Sequence, residues 1–370
     1  MRQSRTPTSS QTAHPTDPRL PFVSVIMPVR NEKAFIHRSI GAVLAQDYPL
    51  DRLEVIVADG MSTDETPRLV RSACEQHRNV KLVDNPSRIV PTGLNAALRI
   101  ARGEIIVRID GHCEVAPDYV RQCVKHLTLG TADGVGGPIE TIGESFVART
   151  IAVAMGSAFG VGGSPFRTAK GCTMCVDTIA FPAYTRKAMR RAGPFDEEFV
   201  RSQDCEYNHR LVRLGCRLLL SPEIRSRYYS RASLRSLCRQ YFQYGYWKVR
   251  VLQKHPRQMR LRQLLPAALV IALATSLGTA AWSDVGKYSL WMVSGTYAIA
   301  LLLASVWVAR RAGWRHVALL PVVFATLHLS WGCGFVVGLC RFWKRWLRSD
   351  VRENARPGPN AVGSAEKGAS

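Results

Sequence analysis

The chain has 370 residues, room for one large domain or two ordinary ones, and carries a formal net charge of +22. An excess that large calls for an acidic partner or an anionic surface. The ten cysteines are scattered and only Cys172 and Cys175 form a C-x-x-C, which argues against a structural zinc site and for reduced thiols facing the cytosol.

Residues Met1–Leu20 are rich in Ser, Thr, Pro and Gln and lack the apolar core of a signal peptide, so a disordered arm is expected. From Phe22 strand and helix patterns alternate. Phe22–Met27, Leu53–Ala58, Val80–Asp84 and Glu104–Ile109 are short apolar runs bounded by Gly, Pro or Asp, which favours strands. Glu32–Gln46 places Ile36, Ile40, Val43 and Leu44 on one helical face. Asp64–His77 reads as a helix with Pro67 in its first turn and Ser62 or Thr63 as its cap. Thr92–Ala101 is a short helix, and another starts behind Pro117. The alternation predicts a Rossmann-like α/β domain with a parallel sheet and right-handed crossovers. Asp59 and Asp110 each follow a strand, so both lie along the crevice at the strands' carboxyl ends.

The Gly-rich stretch 133–170 reads as loop. Beyond it come a candidate strand, Val176–Phe181, a short helix, Arg186–Ala192, a helix closed by Gly215, Gln203–Leu214, and a strand, Cys216–Leu220. Leu234–Leu252 is helical, with Tyr241, Phe242, Tyr244, Tyr246 and Trp247 among basic residues. It either lies on a bilayer interface or packs on the soluble domain; the long apolar segments directly after it favour the interface. Leu264–Trp282, Tyr288–Ala309 and Val317–Cys340 contain no Lys, Arg, Asp or Glu. Each is about twenty residues long, enough to cross hydrocarbon. The expected organisation is an arm (1–20), an α/β domain (21–230), a basic aromatic helix (231–262), membrane segments (263–341) and a basic, then disordered, tail (342–370). The positive-inside rule places Arg257–Arg262, Arg310, Arg311 and Arg315 in the cytoplasm. Three full crossings would leave Arg341–Arg348 outside, against that rule. Pro321 and Gly332, Gly334 and Gly338 leave room for a re-entrant or broken third segment, and the sequence keeps both options open.

Asp110 and His112 stand two apart in an acidic turn. Both are able to face one metal ion, or the turn is a solvated cap to the next helix. The wider pattern weighs on this. PVRNE (Pro28–Glu32), ADGMSTDET (Ala58–Thr66), GLNAALRIARGEIIVRIDGH (Gly93–His112) and SQDCEYNHRLVRLG (Ser202–Gly215) stand in order and at suitable separations. In these the chain resembles family 2 inverting glycosyltransferases, from Pro21 to Tyr228. Asp-Gly-His in place of Asp-x-Asp, VDTIAFPAYTR (Val176–Arg186), GPFDEEFVRSQDCEYNHRL (Gly193–Leu211) and LHLSWGCGFVVGL (Leu327–Leu339) bring it nearer to bacterial exopolysaccharide glucosyltransferases of the succinoglycan type.

The resemblance implies a GT-A-type nucleotide-sugar-binding domain followed by a helical transmembrane module. It implies transfer of a hexose, from UDP-glucose by the nearer likeness, to a polyprenyl-diphosphate-linked oligosaccharide at the cytoplasmic face of the inner membrane. Pro28, Arg30 and Glu32 fall in the turn that flanks the nucleotide, and Asn95 joins the donor site. Asp59 matches the aspartate that accepts from a base N–H. Asp64 touches ribose or merely caps its helix; Arg88 approaches the diphosphate or is a solvated loop charge. Asp110 and His112 match the metal position, and histidine there tilts the choice from Mg2+ toward Mn2+, by direct ligation, through water, or with His112 on phosphate only. Asp204 matches the catalytic base, at a helix start where the dipole favours negative charge, with Gln203 in place of the commoner Glu and Glu206 in support. Its bland alternative is an N-cap.

QYGYW (Gln243–Trp247) is similar to the Q-x-x-R-W element of processive cellulose and chitin synthases, but Tyr246 replaces the Arg, which points away from processive extrusion. That synthase remains one rival reading, and a non-catalytic nucleotide-sugar-binding membrane scaffold is another. No nucleic-acid motif accompanies the charge, which sits beside the apolar segments.

Overall fold

The computed structural model describes residues 20–168 and 171–346. The expected N-terminal arm, but for Leu20, and the tail beyond residue 346 lie outside the described residues. The strands are β1 (Val23–Val29), β2 (Leu53–Asp59), β3 (Val80–Asp84), β4 (Ile105–Arg108), β5 (Cys113–Val115), β6 (Gly134–Gly136), β7 (Ile139–Ile142), β8 (Met174–Cys175), β9 (Ala183–Thr185), β10 (Leu218–Leu220) and β11 (Ser226–Tyr229). The helices of the α/β domain are α1 (Ile36–Leu44), α2 (Thr66–Gln76), α3 (Val90–Ile100), α4 (Tyr119–Thr128), α5 (Phe146–Met155), α6 (Ala158–Val161), α7 (Pro165–Thr168), α8 (Arg186–Ala192) and α9 (Gln203–Arg213). Four long helices come after them: α10 (Leu234–Lys254), α11 (Leu265–Ala280), α12 (Asp284–Ala312) and α13 (Leu320–Phe342).

The main sheet runs β3-β2-β1-β4-β9-β6-β10-β8. The first four strands are parallel, as the alternating pattern predicts. Their side chains divide by the period-two rule: Val25, Met27, Val55 and Val57 enter one core with Ile36, Ile40 and Val43 of α1, while Ile26, Ile56 and Ile106 enter the other with Leu94 and Ala97 of α3.

The sheet is not parallel throughout. β9 runs antiparallel between β4 and β6, and β8 antiparallel to β10. A Cβ on Gly134 would come within 2.7 Å of Tyr184 and Leu218, so glycine makes room on β6 for its neighbours' large side chains. The expected strand Val176–Phe181 does not form. Ile179 and Phe181 are core plugs, and the segment is spent bonding across the site, with the Phe181 carbonyl accepting from the Tyr119 hydroxyl. The stretch 133–170, expected as loop, holds β6, β7 and α5 to α7. Its glycines permit close approaches: a Cβ on Gly143 would lie 2.3 Å from the Ala148 carbonyl carbon. β7 joins β5 and β11 in a three-stranded sheet, order β5-β11-β7. That sheet sits over the β4–β5 turn and brings Tyr228 to 5.1 Å from His112, ring to ring.

Three helices, Leu261–Ala280, Asp284–Ala312 and Leu320–Trp346 with their short 3-10 flanks, are long and apolar enough to cross a membrane. α13 is continuous through Gly332, Gly334 and Gly338, with Pro321 in its first turn, where proline costs no hydrogen bond. These glycines admit neighbours. A Cβ on Gly334 would lie 2.0 Å from the Phe242 carbonyl oxygen, and one on Gly245 2.0 Å from that of Trp331, so α10 and α13 touch backbone to backbone. α10 is thus wedged: Leu237 and Tyr241 enter the main core and Val249 packs with Phe335 and Phe342 of α13, while Arg235, Cys238 and Arg239 stay exposed.

Candidate active site

The crevice lies at the carboxyl ends of β1 to β4, where open α/β sheets bind ligands. Its rim is strained. Asn31, Met61, Arg88, Phe181 and Ser202, the non-glycine residues with positive φ among those described, follow β1, β2 and β3, precede β9, and precede α9. Left-handed backbone at side-chain-bearing residues costs about 1 kcal/mol or more each and collects at functional sites.

The turns after β1 and β2 lock together. Asp59 ends β2, is 4 % exposed, and accepts from the Ser62 amide at 2.9 Å and the Ser62 hydroxyl at 2.5 Å. The Ser62 oxygen in turn accepts from the Asn31 amide at 2.8 Å, and Asn31 Oδ1 accepts from the Thr63 amide at 2.8 Å. Ser62 and Thr63 therefore brace this turn and do not cap α2. Asp64 accepts from the Thr66 amide at 2.9 Å and the Lys33 amide at 3.2 Å; burial opposes its charge, but those bonds hold its pKa below the ordinary value. Pro28 lies within β1 and Arg30 is exposed just past it. Arg88 is exposed on the loop after β3. Asn95 does not face outward. Its amide bonds to the Phe195 carbonyl at 2.9 Å, the Phe195 N–H at 2.8 Å and Glu197 at 2.8 Å, clamping α3 to the loop before α9.

Asp110 and His112 share the turn between β4 and β5. The turn is seated on α1 by a 2.8 Å bond from the Ser39 hydroxyl to the Gly111 carbonyl. Of its two partners, Arg108 is not legible in the sequence, and Glu32 reads there only as flanking the nucleotide. Arg108, 7 % exposed, donates from Nε at 3.1 Å and Nη2 at 3.0 Å to Asp110 Oδ1. Burial works against its charge, but the negative charges of Asp110 and Asp204 outweigh that and raise its pKa. Glu32 Oε1 lies 2.9 Å from His112 Nδ1. Burial disfavours the charged ring, yet Glu32, Tyr228 and Asp110 push its pKa up to about 9.

This donor set fits a divalent ion only in part. Asp110 Oδ2 has one long contact, at 3.4 Å from Arg108, and His112 keeps Nε2 without a bonded partner among the described residues. No group of three or more His, Cys, Asp or Glu is gathered as a metal cage among the described residues. Two protein atoms suit a Mg2+- or Mn2+-type ion that takes the rest of its shell from water and phosphate. His112 must give up its proton to ligate, and until then it is a cation able to contact phosphate directly.

Asp204 sits in the first turn of α9, half-buried, its Oδ1 accepting from the Cys205 amide at 2.8 Å. Ser202, at φ 63°, turns the chain into that helix. Gln203 beside it is buried. Glu206, 3 % exposed, points its carboxylate to Arg210 at 2.7 Å and to His255 at 3.4 Å. It ties α9 to the end of α10, an anchoring position. The loop 193–202 delivers Asp204 and is itself held by the long helices. Glu198 accepts from Arg250 at 2.7 Å and Lys254 at 2.8 Å, and also pairs with Arg345. Burial opposes its charge, but Arg250 and Lys254 bring its pKa down to about 2. Arg201 donates to Gln243, the first residue of QYGYW, at 3.0 Å.

A parallel β3-β2-β1-β4 half joined to a mixed half, with an acidic turn after β4 and a carboxylate at the start of a later helix, defines a GT-A-type glycosyltransferase fold. Known proteins agree. Residues 24–192 match the family Glycosyl transferase family 2. The chain is 31 % identical over 325 residues to the succinoglycan biosynthesis protein ExoA of Rhizobium meliloti, covering 87 % of this chain and 96 % of that one. It is 25 % identical over 328 residues to a dolichyl N-acetyl-alpha-D-glucosaminyl phosphate 3-beta-D-2,3-diacetamido-2,3-dideoxy-beta-D-glucuronosyltransferase of Methanococcus voltae, covering 86 % and 98 %. The fold is shared with the mannosyltransferase PcManGT of Pyrobaculum calidifontis, solved with GDP-Man and Mn2+, at TM-score 0.57 and 22 % identity over 86 % of this chain and 87 % of that one. The chain belongs to glycosyltransferase family 2 and is a glycosyltransferase.

Proposed function

We propose that the protein is a membrane-anchored inverting hexosyltransferase. It moves a sugar from a nucleotide donor, UDP-glucose in the first instance, to a polyprenyl-diphosphate-linked oligosaccharide during exopolysaccharide assembly. The observation that carries this reading is Arg108. Buried and bonded to Asp110, it also feels the charge of Asp204, which supports reading the acidic turn and the helix-start carboxylate as one site.

In that site Asp204 takes the proton from the acceptor hydroxyl as its oxygen bonds the anomeric carbon, while the bond to the nucleoside diphosphate breaks on the opposite face. Configuration therefore inverts. The β1 and β2 turns, with Asp59 braced by Ser62, hold the base and ribose. Asp110 and His112 would hold a divalent ion, which would supply positive charge to the departing diphosphate. Asn95 and Glu198 act at one remove, by holding the loop that carries Asp204.

A lipid-linked acceptor is supported by the apolar helices and by a cavity of about 330 Å³ where α10 meets the end of α13. Tyr246, Trp247 and Phe342 line it beside Arg341, Lys344 and Arg345, a surface suited to an apolar chain with an anionic head. The relatives' names point to glycans assembled on lipid or for export.

The test is a donor screen on washed membranes with a pool of lipid-linked acceptors, read by mass. One sugar added per acceptor, with the new linkage inverted relative to the donor, is expected. A ladder of many additions would favour a processive synthase, and donor binding without any transfer would favour a scaffold.

A further inference from the structure

The three apolar helices differ in what surrounds them. α11 and α12 leave large apolar side chains bare: Leu277 is 65 % exposed and Trp291 78 %. α13 instead lies along the α/β domain. Just before it, His316 is 2 % exposed, bonds to Thr150 of α5 at 2.7 Å and stacks on Phe146. Its first turns bury Leu320, Val323, Phe324 and Leu327 in the same core as β1 and β2. At its far end the Phe342 carbonyl accepts from Gln253 at 2.9 Å, and just beyond it Arg345 pairs with Glu198.

Both ends thus rest on charged parts of one domain. Next to α5, Glu144 pairs with Arg38 of α1 at 2.8 Å with both side chains more than half exposed. At the other end Glu198 sits among Arg250, Lys254 and Arg345. Length does not decide the matter, since 23 residues span ~34 Å. Attachment does. For α13 to cross, ~30 Å of hydrocarbon would have to separate two parts of a continuously packed domain.

We infer that α13 does not cross the bilayer: it lies in the headgroup layer of the leaflet that faces the catalytic domain, and the α11–α12 hairpin alone makes the crossing. This rests on the membrane-anchored reading above. The charge pattern agrees. With two crossings Arg260 and Arg262 before α11, Arg310 and Arg311 ending α12, and Arg341 and Lys344 at the end of α13 all meet the same anionic leaflet. The hairpin's opposite tip carries Trp282 and Tyr288, aromatics of the kind that seat at an interface. The exposed edge of α13 pairs Val322 and Val337 with that basic end, so the partner surface is anionic lipid.

The experiment uses the full chain in cells, with one epitope tag after Ser370 or one between Trp282 and Ser283. Membranes are first washed at alkaline pH. Retention is expected; release into the supernatant would sink the membrane-anchored reading itself. Intact spheroplasts and inverted vesicles are then treated with protease. The tag at Ser370 should be cut only in inverted vesicles and the hairpin tag only from outside. A Ser370 tag cut in spheroplasts from alkali-resistant protein would overturn the placement of α13 and leave the membrane reading intact. A second arm uses Gly334→Leu, whose Cβ would meet the Phe242 carbonyl at 2.0 Å. Transfer should fall about tenfold while the chain stays in the pellet. Unchanged transfer would show that α13 is not docked on α10 and would also count against the inference.

Discussion

The two flanks of the crevice are held by different bonds. On the donor flank, Asp59, Ser62, Asn31 and Thr63 close on one another across two adjacent turns, and each bond stays within the first two βα units. On the acceptor flank, the loop before α9 has its anchors far away: Asn95 on α3, Arg250 and Lys254 on α10, and Arg345 past α13. On the proposed reading, donor recognition is therefore built from local turn chemistry, while the placement of Asp204 depends on how the long helices sit. Damage to the helices should reach turnover before it reaches nucleotide affinity.

The largest break in that contrast is Asp204→Asn. The amide keeps the size and the bond from the Cys205 amide but takes no proton. Losing general-base help costs roughly a hundred- to ten-thousand-fold in rate. Donor affinity, read by nucleotide binding to detergent-solubilised protein, should stay within about threefold, since a lost neutral contact is worth under 1 kcal/mol. Abolished nucleotide binding would show the two flanks to be one.

Next is Glu198→Gln, which leaves Arg250, with only 11 % of its side chain exposed, without its carboxylate. Stripping a mostly buried cation of its partner costs about 3 kcal/mol. Tm should drop, and kcat should fall with donor KM unchanged; Glu198→Asp should recover part of both. A donor KM that rose in step with the loss of kcat would deny Glu198 a positioning role on the acceptor flank.

How far each flank could be read in the sequence has the same origin. β1 to β4 show as β-branched runs stopped by Pro, Gly or Asp, and β2, β3 and β4 run into a carboxylate, Asp59, Asp84 and Asp110. β9 and the β5-β11-β7 sheet do not show, because strands of three or four residues carry too little periodicity to separate from loop. Val176–Phe181 has the composition of a strand, but tertiary packing spends it otherwise. Asp110, His112 and Asp204 stand out in the sequence as candidate chemistry. Arg108 was hidden inside an apolar strand, although a charge in such a run is itself a signal. Glu198 looked like one acid among Asp196, Glu197 and Glu198, and its partners stand 52 and 147 residues away. Asn95, which family likeness puts at the donor, turns out to bond the loop 100 residues on.

A smaller effect should appear in acid. The folded pKa of Glu198, about 2, lies below the ordinary carboxylate value. Such a group adds stability above its unfolded pKa and loses it as pH falls through the folded one. Between about pH 4.5 and 2, wild type should lose ~2 kcal/mol more than Glu198→Gln, discounted for partial exposure. Denaturant midpoints of the solubilised proteins, followed by circular dichroism across that range, give the difference. Parallel curves would mean that the three cations do not depress this carboxyl.

The smallest effect belongs to the donor flank and sharpens the contrast from the other side. Ser62→Ala removes the 2.5 Å bond to Asp59 and the acceptor for the Asn31 amide, while the backbone bond from residue 62 to Asp59 survives. Asp59 then keeps its place in β2 but swings more freely, and Asn31 must hold its left-handed backbone with one support fewer. One net hydrogen bond is worth about 1 kcal/mol, so donor KM should rise about fivefold. The loop carrying Asp204 shares no bond with Ser62, so kcat at saturating donor should stay within about twofold, as expected for sites without shared partners. Steady-state kinetics at varied donor concentration separate the two numbers. A fall in kcat with donor KM unchanged would mean that the turns after β1 and β2 govern the chemistry, and the division between a local donor flank and a helix-supported acceptor flank would have to be abandoned.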